Sequence, residues 1–287
     1  MFDNVPEHLT AYLQDAAADF DRESFYYFVA AYVSLFYLRK NFTDGKTSEF
    51  LNVRPTPRGS VWWGHTGRVV IIGETLFLMR SAPGFSEFCR RLSGRVLRST
   101  YFEIYAARMF FEGGYDVGAR PEVGVRGKDF DFYASRDGET INVEVTALTP
   151  VEFSSQNVEN ALHHKRKQLP DTNPAIIFCI LPESWSATPM GVALGTLTKS
   201  FFAGTRRVSA VVYVIEQHVE WEKDGKIGHL SIQHLCLQHP NPRMPISSTS
   251  FFDDTWDVNP TNPPTMRREN EFFQWADSLF MNKGKAP

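Results

Sequence analysis

The stretch KDFDFYASRDGETINVEVT, Lys128 to Thr146, twice sets an acidic residue in the middle of what reads as an apolar strand. Aromatic and β-branched residues flank Asp137-Gly138, and an Asp-Gly pair supplies the positive φ angles of a two-residue hairpin turn. Opposed residues in such a hairpin keep a constant index sum. Asp131 and Glu144 share the sum of Asp137 and Gly138, which predicts that they face each other with Cβ atoms roughly 5 Å apart. Two like charges so placed are destabilising unless something positive lies between them. A hard divalent cation held by carboxylate oxygens is the simplest candidate. By the same count Asp129 points to the face of Asp131 but lies opposite Thr146. Asn142, Glu144 and Thr146 share one face of the second strand, and Val143 and Val145 supply the other. An outward polar face on an edge hairpin gives the same alternation.

Working outward, STYFEIYAARMFFEGG, Ser99 to Gly114, reads as a helix opened by a Ser/Thr cap and closed by a glycine pair. YDVGARPEVGV follows as an extended segment. After the hairpin comes a helix from Asn157 to Leu169, stopped by Pro170, and then PAIIFCILP, a continuous apolar run of the kind covered on both faces. A helix near Met190 to Phe202 and a strand from Ser209 to Ile215 complete an α-β-β-β-α-β-α-β succession, which predicts a mixed sheet flanked by helices.

Both ends are less regular. Residues 7 to 40 read as helical, Asn41 to Gly45 as a turn, and residues 50 to 66 as irregular; Arg68 to Ser81 is apolar and fits helix or strand. From Phe85 to Leu97 the pattern is helical. On it Arg91, Arg95 and Arg98 fall on one face, either as a solvated basic strip or as phosphate contacts. Beyond Glu216, VEWEKDGKIGHLSIQHLCL reads as a hairpin around Asp224-Gly225, followed by a Pro/Asn-rich stretch and an amphipathic helix from Met266 to Met281. This divides the chain into a mostly helical region at 1–95, a core at 96–217 and a C-terminal extension at 218–287 that packs on the core.

A net charge of -3 puts no global pull toward nucleic acid on the chain, so any such contact must come from a local basic face. Three scattered cysteines, Cys89, Cys179 and Cys236, fit reduced thiols in a cytoplasm better than a disulfide framework. MFDNVPEHLT carries acids where a signal peptide carries bases. The apolar run Ser24 to Leu38 is shorter than the roughly 20 residues of a membrane span, so no membrane partner is expected. Gly45-Lys46-Thr47 has Lys40 where a phosphate-binding loop needs its first glycine, and there is no GxSxG or HExxH. His163 and His164 diverge by about 100° on a helix and are poor joint metal ligands.

The order of elements, with acids opposed across a DG turn between a Glu-bearing helix and a basic helix, resembles the PD-(D/E)XK, or restriction-endonuclease-like, nuclease superfamily. In outline it is most similar to Mrr-type restriction enzymes and Holliday-junction resolvases. The match covers roughly Ser99 to Glu216. It implies an α/β (α+β) restriction-endonuclease-like core in which Asp131 and Glu144 bind Mg²⁺ or Mn²⁺, with Asp129 as the competitor for the aspartate role. Glu103 matches the glutamate that many members carry on the preceding helix to complete or support the metal site. The departure is Thr146, which stands where the family usually has a lysine that orients or activates water; a threonine hydroxyl cannot replace that charge. Some members move the lysine to the following helix, where HHKRKQL offers Lys165 first and Lys167 second, and Gln168 resembles a helix glutamine seen in relatives.

The activity implied is metal-assisted hydrolysis of phosphodiesters, of DNA in a restriction, defence or repair setting, with a homodimer as one arrangement. The alternatives are a catalytically silent relative that binds nucleic acid or protein, since Thr146 replaces the lysine, and an assembly protein whose hairpin acids are decorative.

Overall fold

The structure, a computed structural model, describes residues 7–39, 62–121, 124–125, 129–185, 190–217, 221–223, 226–228, 231–247 and 271–283. The chain forms two compact units: Met1–Ser81, Glu222–His229 and Asn259–Pro287 make one, and Ala82–Trp221 with Leu230–Val258 make the other. The boundary expected at 95/96 therefore falls at 81/82, and the C-terminal helix belongs with the N-terminal helices.

The first unit holds α1 (Glu7–Ala16), α2 (Arg22–Leu38), α3 (Trp62–Leu78) and α8 (Glu271–Met281). Its core is aromatic: Phe77 stacks on Trp275 at 4.7 Å between ring centroids and meets Phe272 edge-on at 5.4 Å. Glu74 is fully buried in α3, where the Tyr26 hydroxyl donates to its Oε1. The ambiguous run from Arg68 is thus helical, and Trp62 already begins that helix within the stretch expected to be irregular. The Asn41–Gly45 turn, residues 50–61, the Asp224-Gly225 turn and most of the Pro/Asn-rich stretch lie outside the described residues. Among the described residues no helix is long and apolar enough to cross a membrane.

The second unit is α/β. Helices α4 (Phe85–Gly94) and α5 (Leu97–Glu112) lead into β1 (Asp116–Ala119), β2 (Phe132–Arg136) and β3 (Glu139–Ala147). Then follow α6 (Ser155–Arg166), β4 (Ala175–Leu181), α7 (Gly191–Ala203) and β5 (Ala210–Gln217). The chain then passes through a two-stranded ribbon, β6 (Trp221–Lys223) and β7 (Lys226–Gly228), which from Glu222 on is counted with the first unit, and returns to the second as β8 (Ser231–Gln238). The main sheet has the order β1-β2-β3-β4-β5-β8, with β3-β4 and β4-β5 parallel and the other pairs antiparallel. The far arm of the expected second hairpin is thus divided: β7 pairs locally with β6, and β8 joins the main sheet.

Burial explains the strands. All seven residues of β4 are buried, as a strand flanked by two others and covered on both faces must be. One face packs Ile177, Cys179, Val211 and Tyr213 against Val158 and Leu162 of α6 and Leu194 of α7. The opposite face carries Phe132 and Phe178, whose rings lie 5.8 and 6.2 Å from that of Phe110 on α5. Asp137 and Gly138 take φ of 53° and 83°, the left-handed pair that the Asp-Gly turn requires. α6 opens with Ser154 Oγ accepting from Asn157 N at 3.3 Å, and its last turn holds His163, His164, Lys165 and Arg166 at the negative end of the helix dipole.

α5 begins earlier than expected and without a side-chain cap. Ser99 and Thr100 are already inside its first turn, where their hydroxyls donate back to Val96 O at 2.9 and 3.3 Å. α4 ends at Gly94, so Arg91 and Arg98 lie on different helices and the expected one-face arginine strip does not exist.

The start of α4 rests on Gly84, which takes φ +74° and sits where a Cβ would meet Ala119 O at 2.4 Å. Gly84→Ala is therefore expected to cost about 1–3 kcal/mol, because it combines backbone strain with a clash against strand backbone. A thermal melt should show a midpoint several degrees lower; an unchanged midpoint would refute the contact.

Candidate functional site

The β2–β3 register follows the turn as the sequence predicts, from Arg136↔Glu139 to Phe132↔Val143. There the ladder stops. Asp131 N donates to Val143 O at 3.1 Å, so Asp131 and Phe132 both address Val143, the two-against-one count of a β-bulge. Asp131 is consequently not the ladder partner of Glu144. Its Oδ2 instead accepts from Val145 N at 2.7 Å, satisfying a donor of β3 that no strand covers among the described residues. The bulge also ends the register before Asp129, so the expected Asp129–Thr146 pairing does not form. Thr146 lies on the other ladder of β3, paired with Cys179, and is half-buried.

Glu144 is 1% exposed. From the last turn of α6, Lys165 Nζ donates to Glu144 Oε1. The helix lysine thus reaches the acid whose neighbour Thr146 lacks the charge. Lys167, one step beyond the helix, is exposed. Gln168 is half-buried, and its Oε1 has no hydrogen-bond partner among the described residues; Asn142 Nδ2 and Glu144 Oε2 share that condition.

Across Asp131 from Lys165 lies Arg91, which is 1% exposed and so cannot be the solvated or phosphate-contacting residue expected of it. Its Nε donates to Glu87 Oε1 at 2.9 Å and its Nη1 to Glu103 Oε2 at 3.2 Å and Asp131 O at 3.0 Å. Nη1 is also 3.6 Å from Asp131 Oδ1, and Nη2 donates to Arg120 O. Arg95, at the end of α4, lies 3.7 Å from Glu103 Oε1, while Arg98 Nη2 donates to Leu148 O at 3.2 Å. Glu87 was not among the expected site residues. The signal for it was present: Glu87 precedes Arg90 and Arg91 by three and four positions, the spacing of helical ion pairs.

The charges respond to burial and to each other. Burial and the Asp131 charge raise the Glu144 carboxyl well above the usual glutamate range, against the pull of Lys165. Burial likewise raises Asp131, opposed by Lys165, the Val145 N–H and Arg91. Glu103 is pushed up to about 7 by burial and by Asp131, with Arg91 and Arg95 holding it down. Burial works against the Lys165 ammonium, yet the surrounding carboxylates outweigh it and raise its pKa. Acid and lysine rise for different leading reasons: dryness raises the acids, and the charge of the three carboxylates raises the lysine. Glu87 moves the other way, lowered to about 2 by its hydrogen bonds from Arg90 and Arg91 despite burial.

Among the described residues no group of three or more His, Cys, Asp or Glu side chains is arranged to hold a metal ion. Glu103 addresses Arg91 and Arg95, which leaves Asp131 and Glu144 as the hard-oxygen pair, with Glu144 Oε2 unengaged. Two carboxylates suit Mg²⁺, which commonly takes one or two together with water and substrate phosphate, rather than a closed protein cage. The positive charge expected between the acids is supplied in part by the chain itself, through Lys165 at Glu144 and Arg91 at Asp131.

No family model matches this chain, no curated protein matches it, and no solved structure matches it.

The raised Glu103 carboxyl makes stability depend on pH in a stated sense. Between about 4.5, its ordinary value, and about 7, the folded chain holds a proton that the unfolded chain has released, so raising the pH through that window lowers stability. Glu87 has the opposite effect: its contribution is present above the ordinary glutamate range and is lost as the pH falls toward about 2. Urea midpoints of the wild type should therefore fall between pH 5 and 7, and Glu103→Gln should make the fall shallower. Parallel curves for the two proteins would contradict this origin.

Proposed function

We propose that this chain is a metal-dependent nuclease that hydrolyses phosphodiester bonds, of DNA in a restriction, defence or repair setting. One observation supports the reading above others: α6 delivers Lys165 to Glu144, beside Asp131, which is where a displaced strand lysine would have to be. Asp131 and Glu144 are the residues that would hold Mg²⁺ or Mn²⁺. When bound, that ion would supply Lewis-acid polarisation of the phosphate and a lowered pKa for water.

The chain's own groups divide the remaining work. Lys165, with its pKa raised, stays cationic at neutral pH and therefore acts as a charge stabiliser rather than as a general base. Its ammonium, already in the pocket, faces the negative charge that accumulates on phosphate oxygens. Glu103 has no need to bind the ion; through Arg91 and Arg95 it sustains the charge balance around Asp131.

A second reading, a catalytically silent module that binds nucleic acid or protein, is favoured by the same ion pairs. Lys165 and Arg91 already balance the acids, and Asp131 has a structural duty at Val145.

Incubation with plasmid and single-stranded DNA plus Mg²⁺ or Mn²⁺ separates the two. The wild type should cleave, and Asp131→Asn, Glu144→Gln and Lys165→Met should each reduce the rate by roughly 10²–10³-fold, the scale for losing a key electrostatic group. Asp131→Asn retains an acceptor for Val145 N, so its loss reports charge rather than fold. DNA binding without cleavage by the wild type favours the silent module, and neither binding nor cleavage removes the nuclease and the DNA-binding module, leaving one that binds protein or RNA.

A further inference from the structure

The guanidinium of Arg91 is hydrogen-bonded to four residues of the chain, Glu87, Glu103, Arg120 and Asp131. Nη2 donates to the carbonyl of Arg120, just after β1, and Nη1 to that of Asp131, just before β2. One side chain therefore grips both ends of the β1–β2 connection, while Nη1 also meets Glu103 on α5 and Nε meets Glu87 one turn back on α4. Glu87 is itself held by Arg90, whose Nε and Nη2 donate to its two oxygens at 2.7 and 2.6 Å. The fork is thus anchored from behind and is buried almost completely.

From this geometry we infer that Arg91 is a positioning residue: it fixes Asp131 in its bulge and Glu103 beside it, and touches no substrate. The inference deepens the nuclease reading and rests on it for the catalytic consequence alone. A planar guanidinium offers five donors along fixed directions and can serve Glu87, Glu103, Asp131 and Arg120 together. A lysine keeps the charge but presents three donors from a single atom, so it cannot hold both carbonyls and both carboxylates. Arg91→Lys accordingly separates charge from geometry.

Two measurements on the full chain test the role. In native-state hydrogen exchange, Arg91→Lys should speed the amides of Asp131 and Val145 about tenfold while leaving Phe178, in the central strand, unchanged. In plasmid cleavage with Mg²⁺, it should lower kcat about 100-fold, the scale of a 1 Å misplacement, and leave KM for DNA within about twofold. Exchange raised equally at all three amides would make Arg91 merely structural, exchange unchanged everywhere would remove the role, and a raised KM with kcat retained would make it a substrate contact; each outcome overturns the inference. If the wild type cleaves nothing, the nuclease reading fails and the exchange result still decides. Should Arg91→Lys not fold, Glu87→Gln, which weakens the rear anchor without touching Asp131, carries the same comparison, with a local acceleration of about threefold expected and none overturning the idea.

Discussion

A carboxylate withdrawn from water costs several kcal/mol unless a cation or a set of donors travels with it. Among the described residues of the second unit, Glu87, Glu103, Asp131 and Glu144 are withdrawn together, within contact of one another or of shared partners. Its architecture is arranged around meeting that requirement. α4 brings Arg91, the α4–α5 junction brings Arg95, and α6 brings Lys165, so helices on both sides of β3 converge on one charge cluster. Remove the cations and the bulge, the open edge of β3 and the helix contacts lose their common reason.

Such a cluster has two readings in physical terms, and they differ in what the charge is for. A purely structural network tends toward complete satisfaction. Here Glu144 Oε2, Asn142 Nδ2 and Gln168 Oε1 are buried or partly buried without a described partner, which departs from that tendency. Buried polar atoms of this kind are met by water or by a ligand. The raised carboxyl groups point the same way, since perturbed titration gathers where charge is put to use.

Much of this was legible in the residues, and the exceptions have identifiable causes. The Asp137-Gly138 turn, the doubly covered β4 and the reach of Lys165 follow from local rules: a φ requirement, a continuous apolar run, a position on a helix face. The index sum correctly paired Phe132 with Val143. It failed one residue further, because it assumes an unbroken ladder, and the carbonyl of Asp131 is met by Arg91, 40 positions away in sequence. Helical spacing across Arg91, Arg95 and Arg98 assumed one uninterrupted helix, whereas Arg95 takes extended backbone at the end of α4. The fate of Arg91 was hidden because burial of a cation depends on what faces it, and only Glu87 among its partners was nearby in sequence.

The site is also stitched together over unequal lengths of chain. Asp131 finds Val145 across 14 positions and Lys165 finds Glu144 across 21, but Arg91 must come back to Asp131 across 40. Loop-closure entropy makes the longest of these about 1 kcal/mol more costly than the shortest. The same arginine meets Glu103 across only 12 positions and Glu87 across four, so much of its charge balance is local. Its hold on Asp131 carries the cost of the long closure, so chain length makes expensive the grip on the start of β2 and not the neutralisation of the acids.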